Sequence, residues 1–229
     1  MRRAGELRLA TACLVYDAAG ARVARYDKIH LFDVDLPEKG ESYRESAHFA
    51  PGNQVVVVDT PAGRLGLSVC YDMRFPELYR ALSAAGADWF TAPAAFTVPT
   101  GQAHWDTLLR ARAIENLTYV IAPAQGGYHV NGRETHGHSM IVDPWGVVLD
   151  ELPRGSGVVI ADLNPDLRAR VRSNLPALHH RARGGHAARR HPVPAGGGPA
   201  AATAGRAGRP RPDRTRDRKS TRLNSSHAN

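Results

Sequence analysis

Hydrophobic and polar positions alternate along this chain in two distinct periods. LATACLVYD (residues 9–17) is a short apolar run that ends at a turn signal, Ala18-Ala19-Gly20. ARVARYDKIHL (21–31) sets Val23, Tyr26 and Ile29 among polar residues, and the two runs are expected to pair as a hairpin. Residues 33–53 hold Pro37, Gly40, Pro51 and Gly52 and no period, so a long loop is expected there. Loops of that length in compact domains are usually functional. A second hairpin follows, with strands Val55–Asp59 and Leu65–Cys70 around Pro61-Ala62-Gly63. FPELYRALSAAG reads as a helix: Pro76 suits the first turn, Leu78 and Leu82 share a face, and Gly86 follows the end. DWFTAPAAF reads as a buried strand, HWDTLLRARAIENL as a second helix and YVIAPAQ as another strand. GHSMIVDPWGVVLDEL is expected to turn back at Pro144-Trp145-Gly146. GVVIADLN reads as a strand and PDLRARVRSNL as the last helix. Strands alternating with helices, flanked by hairpins, specify an α/β fold with a mixed sheet.

Charge changes the picture mainly at one end. The 229 residues carry a formal net charge of +8. Residues 182–229 hold 11 Lys and Arg against 2 Asp, whereas residues 1–181 hold 19 against 20 Asp and Glu. The body is nearly neutral, so nucleic-acid binding by it is not expected. From 182 onward the only large aliphatic residues are Val193 and Leu223, and there is no aromatic. Such a segment buries too little apolar surface to offset its ordering entropy and is expected to be a disordered basic tail. Its closing stretch, DRKSTRLNSSHAN, resembles translated vector or adapter read-through, so the tail is expected to be non-native. Two cysteines make no disulfide framework, and a reducing, cytoplasmic setting is expected. No run of about 18 apolar residues occurs, and no membrane partner is expected. The opening MRRAGELRLATACLVY lacks the unbroken apolar core of a signal peptide.

Among chemistry-bearing residues, Cys70 closes a strand just before a polar turn and a helix. Backbone N–H groups and a positive dipole end there lower a thiol pKa and cradle an oxyanion. A small buried core residue is an equally good reading of Cys70 alone, and Cys13, inside LATACLVYD, fits the core reading well. Lys28 ends its strand at the mouth of the long loop, where a cation can face developing negative charge; an exposed strand lysine is the commoner case. The loop acids Asp33, Asp35, Glu38, Glu41 and Glu45 are mostly expected to be solvated. His30, His104, His136 and His138 are candidates for a Cys–His pair. His136 and His138 lack a nearby third ligand, so a zinc site is poorly supported. No GxGxxG, GxxxxGK[ST] or GxSxG motif is present, which leaves nucleotide binding and a serine nucleophile unsupported.

YDKIHLFDVD followed by SVCYDMRFPELYR resembles the nitrilase superfamily of carbon–nitrogen hydrolases. RESAHFAPG, TGQAHWDTLLRARAIEN, GHSMIVDPWG and LPALHHR agree with it in order and spacing, from about residue 8 to residue 181. Within the superfamily the chain is most similar to the Nit branch. The resemblance implies a four-layered α-β-β-α sandwich. It also implies a Glu-Lys-Cys triad that hydrolyses a C–N bond in a small carboxylate-bearing amide through a cysteine thioester. By resemblance, Cys70 is the nucleophile, and Lys28 and the Tyr71 backbone N–H stabilise the oxyanion. Glu45 positions substrate and catalytic groups, and substrate contact falls to Tyr71, Arg74, Phe96 and Thr97. No metal or cofactor is expected, because the triad supplies the chemistry itself, and the complete protein is expected to dimerise. The family's general-base glutamate lies upstream of the Lys28 hairpin, and Glu6, in AGELRLAT, does not match its context. The domain at 1–181 is therefore expected to be truncated at its N-terminus, with weak or no turnover. Competing readings keep the fold with a nitrile, carbamoyl or omega-amide substrate, or make the chain a non-catalytic scaffold.

Overall fold

The computed structural model describes residues 8–36, 40–130 and 132–181. Residues 182–229, and with them the expected basic tail, lie outside the described residues, as do Glu6 and Glu38.

The first expected hairpin is present: β1 (Ala12–Tyr16) pairs antiparallel with β2 (Arg22–Asp27). It contributes Cys13, Val15, Ala24 and the fully buried Tyr26 to the core. The stretch at 33–53 departs from expectation. It contains a short antiparallel hairpin of β3 (Asp33–Leu36) and β4 (Glu41–Arg44), then a 3-10 turn at Glu45–Ala47. These strands were hidden by their polarity. They are held by cross-strand polar pairs rather than by an apolar face: both oxygens of Asp35 accept from Arg44 Nη2, at 2.8 and 2.9 Å, and Oδ1 also accepts from the Ser42 hydroxyl at 2.8 Å.

The main sheet is built from β5 (Val57–Thr60), β6 (Gly63–Leu67), β7 (Trp89–Thr91), β8 (Tyr119–Ala122), β11 (Ser139–Val142) and β12 (Val148–Leu152). Its six strands lie in the order β12-β11-β8-β7-β6-β5. β6, β7 and β8 run parallel, and the remaining neighbours pair antiparallel. The crossovers are α1 (Pro76–Ala84), between β6 and β7, and α2 (Val98–Asn116), between β7 and β8. Two crossovers stepping in one direction of the sheet lay both helices on one face. Leu78, Tyr79 and Leu82 of α1, and Trp105, Leu109 and Ala113 of α2, are buried in the core there. Between β8 and β11 lies another hairpin absent from the sequence reading, β9 (Gly126–Tyr128) with β10 (Glu134–His136).

Several boundaries also move. The strand expected to reach Cys70 ends at Leu67, and DWFTAPAAF is a strand only over Trp89–Thr91. α2 begins at Val98, before the expected His104, because Thr97 is extended and Pro99 fits the first turn. GVVIADLN has no ladder partner among the described residues, and Val158 and Ile160 stand 79% and 74% exposed. The last helix, α3 (Pro165–Asn174), is as expected; the Asn164 side chain caps it by accepting from the N–H groups of Asp166 and Leu167.

Candidate active site

Beyond the C-terminal end of β6 the chain bends. Val69 is extended, Cys70 has φ of 51°, and residues Cys70–Arg74 form a 3-10 turn. A non-glycine residue in the left-handed region is strained and persists only where its surroundings over-determine it. Here the Cys70 N–H donates to the Pro93 carbonyl at 2.9 Å. The Asp72 carboxylate accepts from the Val69 N–H at 2.9 Å, bridging across the cysteine.

Lys28 continues from the end of β2. It is 4% exposed, not the solvated strand lysine that is statistically commoner, and its N–H donates to the Thr11 carbonyl at 2.8 Å. Gly52 packs against this strand end and donates its N–H to the Lys28 carbonyl. A Cβ at Gly52 would lie 1.9 Å from the Asp27 carbonyl oxygen, so only glycine permits the approach. The Lys28 ammonium donates to Glu45 Oε2 at 2.5 Å. The same oxygen accepts from the Phe32 N–H at 2.7 Å, and Oε1 accepts from the Thr11 hydroxyl at 2.9 Å. Glu45 is thus an anchored, mostly buried carboxylate rather than a solvated loop acid.

These groups share one cavity of about 930 Å³, and every residue assigned by the resemblance lines it. Tyr71 meets Phe32 and Phe75 edge-on. The Arg74 guanidinium lies over the rings of Tyr71 and Phe96, 5.8 and 5.3 Å from their centroids. Such stacking holds a cation in place without neutralising it. No carboxylate among the described residues forms an ion pair with Arg74; its polar contact is with the His104 ring nitrogen at 3.4 Å. Phe96 is braced edge-on by Trp105, and the Thr97 and Thr100 hydroxyls stand 2.7 Å apart at the start of α2. Sequence reasoning missed Thr11, Tyr43 and Arg133, which also line the cavity. Arg133 follows β9, crosses to the Ala95 carbonyl and stacks over Tyr43. Its only signal in the sequence is a lone basic residue in a Gly-rich stretch.

The thiol differs from the expectation of a lowered pKa. Burial pushes Cys70 up, and a backbone hydrogen bond from Ala95 and the charge of Lys28 pull it partly back. The expected dipole effect is weak because a short 3-10 turn, not α1 itself, begins at Cys70. His104 reaches Arg74 rather than Cys70, and His30 pairs with Asp72. His136 and His138 stack on each other at 4.2 Å. Among the described residues no three His, Cys, Asp or Glu side chains are grouped to hold a metal ion.

A half-buried cysteine at a strained bend, a buried lysine paired with a mostly buried glutamate and one shared cavity match the family to which the sequence points. The carbon-nitrogen hydrolase profile matches residues 3–173, and the chain belongs to that family. Similar proteins include the deaminated glutathione amidases of Synechocystis, at 54% identity over 164 residues, and of Dictyostelium discoideum, at 50% over 169. These alignments cover 71% and 73% of this chain, and the chain spans only 60% and 58% of those relatives' lengths. Among solved structures, the C. elegans NitFhit protein superposes with a TM-score of 0.72 at 44% identity, covering 76% of this chain and 42% of its own. An amidase variant from Nesterenkonia sp. AN1, carrying acrylamide on its active-site cysteine, superposes with a TM-score of 0.58 at 33% identity; the match covers 72% and 61% of the two chains. No helix among the described residues is long and apolar enough to cross a membrane.

Proposed function

We propose that this domain hydrolyses the C–N bond of a small carboxylate-bearing amide, in the manner of a deaminated glutathione amidase. The observation that carries the reading is the convergence of Cys70, the Lys28–Glu45 pair and the stacked Arg74 on one cavity. Cys70 attacks the amide carbon as a thiolate, and the carbonyl oxygen becomes an oxyanion. The Lys28 ammonium and the Tyr71 N–H stabilise that charge in a partly dry site, where fixed donors are most effective. The tetrahedral intermediate collapses, the C–N bond breaks, and the thiol's proton leaves with the nitrogen as amine or ammonia. Water then hydrolyses the thioester to a carboxylic acid and regenerates Cys70. Glu45 already accepts three hydrogen bonds, so its role is to hold Lys28 rather than to shuttle the proton. Arg74 receives the substrate carboxylate, and Phe96 and Thr97 shape the wall beside it.

We place the activity in a reducing, cytoplasmic setting, consistent with two free cysteines, and in residues 1–181. We expect the whole protein to dimerise, as the family resemblance implies. The deciding experiment incubates the chain with short dicarboxylic monoamides, follows amine or ammonia release, and looks for an acyl adduct on Cys70 by mass spectrometry. Adduct formation that is abolished in Cys70→Ser supports the reading. Turnover that survives Cys70→Ser refutes it.

A further inference from the structure

Behind the cavity lies a polar cluster that the roles above do not use. Asp72 is fully buried. Its Oδ2 accepts from the Tyr26 hydroxyl at 2.7 Å and from the Val69 N–H at 2.9 Å. Its Oδ1 accepts from the His30 N–H at 3.1 Å and stands 2.8 Å from His30 Nδ1. The Tyr26 hydroxyl in turn accepts from the Ile29 N–H at 3.2 Å. The His30 ring lies flat on Phe75, with centroids 3.7 Å apart and planes 6° apart.

A buried carboxylate is stable only when donors replace its lost water. Both backbone groups here are obligate donors, so Asp72 serves as the acceptor and the Nδ1 of His30 carries the proton. The positions of these donors give the cluster its meaning. Val69 and Asp72 lie on either side of Cys70, so their bond closes a small ring around the strained cysteine. Tyr26, Ile29 and His30 lie on either side of Lys28 in the chain. One carboxylate therefore ties the turn that carries the sulfur to the strand end that carries the ammonium.

We propose that Asp72, held in place by His30, is a positioning residue that sets where Lys28 stands relative to Cys70. The inference rests on the reading of Cys70 as nucleophile and Lys28 as its electrostatic partner. Neither Asp72 nor His30 lines the cavity, so both act through the residues they hold.

The test is the pH dependence of Cys70 alkylation by iodoacetamide in the 229-residue chain, read by peptide mass spectrometry. The plateau rate reports access to the thiol. The midpoint reports how well a nearby cation stabilises the thiolate, and Lys28 lowers the Cys70 pKa in the intact site. His30→Ala and Asp72→Asn are expected to raise the midpoint by about half a pH unit or more, as drawing a cation away from a thiolate would. His30→Asn places an amide N–H where the Nδ1–H stood and is expected to keep the parental midpoint. A role confined to folding would lower yield and melting temperature but leave the midpoint of the folded protein unmoved. An unchanged or lowered midpoint in folded His30→Ala overturns the proposal, and this comparison decides even if Asp72→Asn does not fold. With an amide substrate, His30→Ala should lose roughly 10- to 100-fold in kcat, since small misplacements of catalytic groups act on the chemical step. Parental kcat in His30→Ala overturns the positioning role alone. A parent that forms no acyl adduct on Cys70 overturns the amidase reading, and the midpoint comparison then still decides the role of Asp72.

Discussion

Lys28 and Glu45 form an ion pair 2.5 Å long in which the lysine side chain is 4% exposed and the glutamate 16%. Removing one member of such a pair strands the other charge away from water, at about 3–5 kcal/mol in comparable buried pairs. Glu45→Ala should therefore lower the unfolding free energy by about 3 kcal/mol. Glu45→Gln should cost less, since its carbonyl still accepts from Thr11 or Phe32. Urea denaturation of the three proteins measures both values, and an Ala variant of parental stability would contradict the pairing.

The thiols carry a pH signature. Burial raises both Cys70 and Cys13 above their ordinary range. Cys70 lines the cavity, whereas Cys13 packs against the core, so Cys70 should be alkylated first in the folded protein. Its alkylation midpoint should lie above the ordinary thiol value of about 8.5, and Lys28→Met should move it higher. The sign for stability follows. A folded pKa above the unfolded one means that the folded state keeps protons that the unfolded state loses. The stabilising contribution is complete below about pH 8.5 and is lost as pH rises toward the folded values. Melting temperature measured from pH 7 to 10 should fall over the upper part of that range, and fall less in Cys13→Ala.

His136 has the opposite sign. Burial first, then the charges of His138 and Arg154, lower its pKa. The neutral ring suits its place beneath Gly101, where an added Cβ would lie 2.2 Å from the imidazole Cγ. A lowered folded pKa contributes stability that is present above about pH 6.5 and is lost as pH falls through the folded value. The drop in melting temperature between pH 7 and 5 should be shallower in His136→Gln than in the parent. Equal slopes would remove His136 as its source.

Arg74 is held by two aromatic rings and free of any carboxylate pairing among the described residues. Arg74→Ala should raise KM for a carboxylate-bearing amide by roughly tenfold or more, the worth of a charge-assisted bond. A neutral amide of the same length should be affected much less. Equal losses on the two substrates would assign Arg74 a structural role.

Much of the main sheet was legible because its strands and helices bury apolar faces that leave a period. Leu78 and Leu82 marked α1, and the turn at Pro144-Trp145-Gly146 marked the β11–β12 hairpin. The β3–β4 hairpin left no such trace, since Asp35, Ser42 and Arg44 hold it with polar bonds on its exposed side. GVVIADLN misled for the converse reason: an apolar run predicts a strand only where a neighbour offers its ladder, and none does among the described residues. At the site, residue types named Cys70 and Lys28 only as candidates, and the family resemblance supplied their roles. Asp72 was overlooked because an acid two residues past a cysteine looks like any turn residue until its four donors, 3 to 46 positions away, are seen together.

The backbone at Cys70 carries a lesson for anyone who silences this site. At φ of 51° a side-chain-bearing residue is strained by about 1–3 kcal/mol, and glycine alone adopts that conformation freely. The sulfur thus occupies the position in the turn where the chain would be most comfortable without any side chain. Cys70→Gly is the substitution that relaxes the turn, and Cys70→Ala the one that keeps its tension. The two are not interchangeable controls for the proposed nucleophile.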